Sequence, residues 1–113
     1  MDGGRIINPF SSVEEAWFWF TRCQLARWEG ARIDTGSKLD ERPCGPDDIY
    51  RWACDLYRTR AIGPAHLETM AEYGFLGRTP DMHLDAELID GLLWVEGMQQ
   101  LDKLLRTKGM IEP

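Results

Sequence analysis

Between Gly45 and Thr59 the spacing of apolar residues leaves little choice of conformation. Ile49, Trp52, Ala53, Leu56 and Tyr57 recur at i, i+3, i+4, i+7 and i+8. That spacing lines one face of an α-helix and would scatter over both faces of a strand. Pro46 suits the first helical position, where its missing N–H would be unbonded anyway. Asp47 and Asp48 follow where the helix dipole favours negative charge, and Arg51, Asp55 and Arg58 are expected to face outward. A helix with one apolar stripe needs neighbours to cover it.

The rest of the chain supplies three. Ser11 and Ser12, each followed three residues later by a glutamate (Glu14, Glu15), announce a helix with a capping box. It is expected to run from Val13 towards Arg32, with an apolar arc that includes Ala16, Trp17, Phe20 and Cys23. Phe18 and Leu25, one heptad apart, break its polar side of Glu14, Thr21, Arg22, Glu29 and Arg32. Residues 34–45 read as a loop punctuated by Gly36, Pro43 and Gly45. Pro64 opens a short third helix with the stripe Leu67, Met70, Ala71 and a stop at Gly74, after which Phe75 and Leu76 fold back onto the core. Thr79-Pro80-Asp81 starts a last helical region reaching Lys108, with acids at its start and bases at its end.

That last region carries two apolar stripes about 90–100° apart, Leu84, Leu88, Leu92 and Val95 against Trp94, Met98, Leu101 and Leu105. A helix straddling two neighbours explains them, as does a bend near Gly91 or Gly97. No strand pattern, hairpin signal or internal repeat is present. The expected fold is therefore an all-α bundle of four helices, the third short and the fourth long or bent. It forms a single domain over residues 11–113 behind a flexible arm over residues 1–10.

The formal charge of −6 over 113 residues bears on partners. Residues 1–79 hold 10 Lys and Arg against 12 Asp and Glu, a balance of −2; residues 80–113 hold 3 against 7, a balance of −4. Nucleic-acid affinity comes largely from phosphates meeting cations, so general DNA or RNA binding is disfavoured, as is an anionic lipid surface. The three cysteines Cys23, Cys44 and Cys54 form no Cys-x-x-Cys pair and read as reduced thiols. With neither a signal-peptide pattern at the N-terminus nor an apolar run of ~20 residues, the expected location is cytoplasmic.

The chemical motifs are weak. Thr35-Gly36-Ser37-Lys38 lacks the second glycine and the ending of a phosphate loop. His83, Glu87 and Asp90 share a helix face, but no Glu-x-x-His pair exists to build a carboxylate metal site. Cys44, in Pro43-Cys44-Gly45-Pro46 before a helix N-terminus, is the one candidate nucleophile, without a histidine that can be placed beside it. No catalytic constellation, cofactor or metal is expected.

Three functions stay open. The favoured one is a non-enzymatic protein–protein interaction module, a small accessory or regulatory protein acting by docking and expected to be homodimeric. Its contact face would be Phe18, Arg22, Leu25 and Glu29 on helix one, with Phe18 and Leu25 either covered by loop 34–45 or the arm, or exposed. The acidic start of the last helix (Asp81, Asp85, Glu87, Asp90) would be a second surface for a basic partner. One alternative is a helix-turn-helix DNA-binding regulator spanning residues 47–74, which would need a basic patch from Arg51, Arg58, Arg60 and arginines of helix one. The other is a small-molecule- or metal-binding helical domain with a pocket lined by tryptophans.

Overall fold

A computed structural model describes residues 8–30 and 42–113. Four helices form an all-α bundle: α1 (Val13–Trp28), α2 (Pro46–Arg58), α3 (Pro64–Leu76) and α4 (Leu88–Thr107), the last entered through a 3-10 turn at Asp85–Glu87. Among the described residues there is no strand, only an isolated parallel bridge between Phe10 and Ile111. Helix one stops at Trp28, short of the expected Arg32, with Glu29 as its cap and Gly30 left-handed at φ 78°; Arg32, the Thr35–Lys38 stretch, most of loop 34–45 and the first seven residues of the arm lie outside the described residues.

The helix starts follow their sequence signals. Ser12 caps α1 by accepting from the Glu15 N–H at 3.1 Å. Glu15 reaches back one residue further than a capping box requires, accepting from the N–H and hydroxyl of Ser11, which holds its carboxyl below the usual range. Pro46 and Pro64 each occupy the first turn of a helix capped by glycine. At Gly63 the capping partner is His66, whose Nδ1 accepts from the Gly63 N–H at 3.0 Å while Nε2 meets Glu96 Oε1 at 2.8 Å. The two contacts of the ring tie the start of α3 to α4.

The core gathers Trp17 and Phe20 of α1, Ile49 and Leu56 of α2, Met70 and Tyr73 of α3, and Trp94, Met98, Leu101 and Leu105 of α4. Two side chains depart from the expected helix-two register: Trp52 is half-buried, and Tyr57 is exposed at the last turn. There the stripe has run past the end of its neighbours.

Helix three ends differently from its sequence reading. Gly74 is not the stop; the helix continues to Leu76 and Gly77 takes the left-handed conformation at φ 78°. Gly74 is buried in the helix because α1 crosses there. A Cβ at that position would lie 2.7 Å from both Thr21 Cγ2 and Trp17 Nε1. The close approach makes two interhelix hydrogen bonds, from Trp17 Nε1 to the Met70 carbonyl at 2.8 Å and from the Thr21 hydroxyl to the Gly74 carbonyl at 2.9 Å. Phe75 stacks on Trp28, with ring centroids 5.0 Å apart, but Leu76 stays exposed and does not return to the core.

Phe10, the last residue of the expected arm, is fully buried. Its N–H donates to the Met110 carbonyl at 3.0 Å and its carbonyl accepts from Glu112 at 2.9 Å, so the segments flanking α1 and α4 close on each other. Arg42 lies over the Phe10 ring and pairs with Glu15 at 3.2 Å.

Candidate functional site: an exposed apolar face on the fourth helix

Helix α4 runs without interruption from Leu88 to Thr107, later than the start expected at Thr79-Pro80-Asp81, because residues 79–84 are irregular and Asp85–Glu87 form a 3-10 turn. The helix does pack between several neighbours, α1, α2 and α3, but they cover only one of its two stripes. Trp94, Met98, Leu101 and Leu105 are buried, whereas Leu84, Leu88, Leu92 and Val95 are 42–50% exposed. Ile89, at 65%, and Met82, at 42%, extend the exposed set, while Met82 also folds over Gly91. Four of these, Leu88, Ile89, Leu92 and Val95, fall within about 120° of one another on one side of α4, and Leu84 and Met82 are exposed in the segment that leads into it. A scattered exposed leucine is ordinary, but a contiguous apolar strip rimmed by polar residues marks an interaction surface.

Two carboxylates at this entry are bonded within the fold. Glu87 receives both Nη atoms of Arg78, at 2.9 and 2.7 Å, and the Asp81 N–H at 2.7 Å. These bonds, the guanidinium first, pull its carboxyl down to about 2. Asp90 accepts from the Tyr73 hydroxyl at 2.7 Å, and that bond to an acceptor pushes the phenol up to about 12. Asp81 and Asp85 remain exposed beside the apolar strip. Of the four acids expected to form a surface here, Glu87 and Asp90 are thus bonded to Arg78 and Tyr73, and Asp81 and Asp85 are the more exposed pair.

On α1, Arg22 and Glu29 are exposed and Leu25 is half-buried. Phe18 is covered by a neighbour not foreseen in the sequence: its ring stacks on Trp94 of α4, 5.6 Å between centroids and 26° between planes. The reading that only the loop or the arm could shield it missed the inward turn of α4.

The chemistry of the alternatives finds little footing. Burial, then the nearby Asp48 charge, pushes the Cys44 thiol up to about 11, opposite to what a nucleophile needs. Among the described residues no group of three or more His, Cys, Asp or Glu comes together to hold a metal ion, and no helix is long and apolar enough to cross a membrane. Helices α2 and α3 do have the outline of a helix-turn-helix, with Arg60 at φ 68° in the turn. However, Arg51 pairs with Asp48, Arg58 with Asp55 at 2.5 Å, and Arg27 with Asp47 at 2.9 Å. Carboxylates thus offset three of the arginines a phosphate-binding patch would use.

Clefts open on the surface of the described residues. A cleft of about 570 Å³ lies at the α2–α3 turn, between Arg58, Arg60 and His66. One of about 300 Å³ lies between the start of α1 and α4, floored by Val13, Trp94 and Met98 and edged by Val95 and Asp102. The second adjoins the exposed strip through Val95, so the strip has a recess at its edge. Comparison of the chain with protein-family profiles, with curated proteins and with solved structures found no match.

Proposed function

We propose that this protein is a non-enzymatic interaction module that acts by docking, and that its contact surface is the exposed face of α4 around Leu88, Ile89, Leu92 and Val95. The observation that carries this reading is the solvent exposure of six large apolar side chains at the entry to one helix. Leaving them in water forgoes stabilisation of about 25 cal/mol for each Å² that a partner would cover. The same helix buries its other stripe, with Leu101 and Leu105 at 0% exposure, so the strip is a second face rather than a poorly packed core. Asp81 and Asp85 supply a polar rim, and the recess beside Val95 can take one anchoring side chain. The face of α1 first expected to dock contributes Arg22 and Glu29 only as exposed polar residues.

The test compares wild type with an Ile89→Glu/Leu92→Glu double variant. Both are measured for size in solution and for proteins retained from the native host's extract. The double variant is expected to keep the helical signal and melting behaviour of the wild type while losing a specific association. If the wild type neither self-associates nor retains anything the double variant loses, the docking reading is wrong.

A further inference from the structure

We infer that the cleft between the start of α1 and α4 is a binding site for a small organic cation, an ammonium carried on an apolar body with an oxygen acceptor; this goes beyond the docking reading and does not depend on it. The cleft holds about 300 Å³, at the lower end of the range of about 300–1,000 Å³ for small-molecule sites. Its floor is apolar and well packed, with Val13, Trp94 and Met98 between 3% and 7% exposed. One polar atom on that floor is unused. Trp17, the other buried tryptophan, donates its indole N–H to the Met70 carbonyl at 2.8 Å. Trp94 is as buried, at 4%, yet its N–H meets no acceptor among the described residues. A buried indole N–H ordinarily finds a partner, because desolvating it without one is unfavourable. No fully buried side-chain nitrogen or oxygen lacks a partner among the described residues, so this N–H reaches solvent instead of being sealed in. The cleft is the opening that Trp94 lines.

The charges around the floor set the sign of the ligand. The titratable groups on the lining are Glu14, Asp102 and Arg106. Asp102 receives Arg106 Nε on both carboxylate oxygens, at 3.0 and 3.1 Å, so that pair is close to neutral. Glu14 is left over. It is half-buried in the first turn of α1 and has neither a hydrogen bond nor an ion pair among the described residues. Its neighbour Glu15 is held by Ser11 and Arg42 instead. The lining therefore carries one uncompensated negative charge beside apolar surface. An anionic ligand would meet Glu14 with only an indole N–H and the Gln99 amide in its favour, and like charge disfavours it. A neutral hydrocarbon would strip water from the N–H and the carboxylate and give neither a partner. A cation on an apolar body uses all three features. The body covers Val13 and Met98, the ammonium meets Glu14 in a charge-assisted bond, and the oxygen accepts from Trp94.

The experiment follows the Trp94 indole N–H and the backbone amides of the full chain by NMR during titration with three probes of nearly the same shape. Tyramine is the cation, tyrosol the neutral alcohol and 4-hydroxyphenylacetate the anion. Tyramine is expected to shift the Trp94 indole resonance and the amides of Val13, Glu14 and Val95 along one saturable curve. Tyrosol should bind at least about tenfold more weakly, the loss of one hydrogen bond to a charged group. The acetate should leave the indole resonance in place. Glu14→Gln, first checked for unchanged helical signal, should weaken tyramine by about the same factor and leave tyrosol where it was. If that substitution weakens both probes together, the role of Glu14 is overturned, since a merely structural change in α1 would do that. An indole resonance indifferent to tyramine overturns the site. Equal affinity for tyramine and tyrosol, or a preference for the acetate, overturns its assignment to cations. None of these outcomes touches the association that Ile89→Glu/Leu92→Glu is expected to abolish, so the two readings fail separately.

Discussion

The carboxylate of Glu87 holds the entry to α4 in place, binding Arg78 through two oxygens and receiving the Asp81 N–H. Its folded-state value of about 2 lies below the ordinary 4.5. Between those values the unfolded chain takes up a proton that the folded chain refuses, so stability rises with pH across that window. The contribution is complete above about 4.5 and is lost as the pH falls through about 2. Acid-unfolding curves of Glu87→Gln should therefore show a shallower loss of stability between pH 4.5 and 2 than wild type; coincident slopes would mean the Arg78 pair does not persist in solution. The residue was legible as an acid at a helix start, but its partner was not. Arg78 sits nine positions earlier, beyond any helical spacing, and only the path of the turn over residues 77–84 brings them together.

At the scale of elements, the α1–α3 crossing is set by one missing side chain. Gly74 admits the Trp17 indole and Thr21 to hydrogen-bonding distance of the α3 backbone. A helix-interior glycine normally gains about 1 kcal/mol on replacement by alanine. Here Gly74→Ala should instead destabilise by about 1–3 kcal/mol, because the new methyl meets groups that are themselves fixed by packing. Thermal denaturation checks the sign, and a stabilised variant would place the two helices further apart. In the sequence Gly74 looked like a terminator, as Gly77 in fact is. Local pattern cannot separate a glycine needed for a left-handed turn from one needed for close approach.

For the whole molecule, the two chain segments outside the helices complete the core. Phe10 is buried under a clasp made with Met110 and Glu112, and its ring packs at 5.3 Å on Trp19. Phe10→Ala should cost about 3–5 kcal/mol in chemical denaturation, the range for a buried core phenylalanine. A loss within about 0.5 kcal/mol, typical of surface positions, would show the clasp to be open in solution.

What the chain determined by itself was its local structure. The cap at Ser12, the prolines that open α2 and α3, the stop at Gly109 and the helical period from Ile49 to Leu56 and from Leu88 to Leu105 were readable because they depend on residues within four positions of one another, whereas Leu84 falls outside the helix its stripe was assigned to. Which stripe each helix buries was decided only by tertiary structure. Leu88 and Leu101 are equally apolar and equally periodic, yet one faces water and the other the core. The three other helices cover one side of α4 and not both. The face covered is the one whose tryptophan stacks on Phe18 and whose Gly97 lies against Met70 of α3. The proposed site is what that choice left outside, which is why the aromatics of α1 drew attention first and the aliphatic face of α4 emerged only from the packed structure.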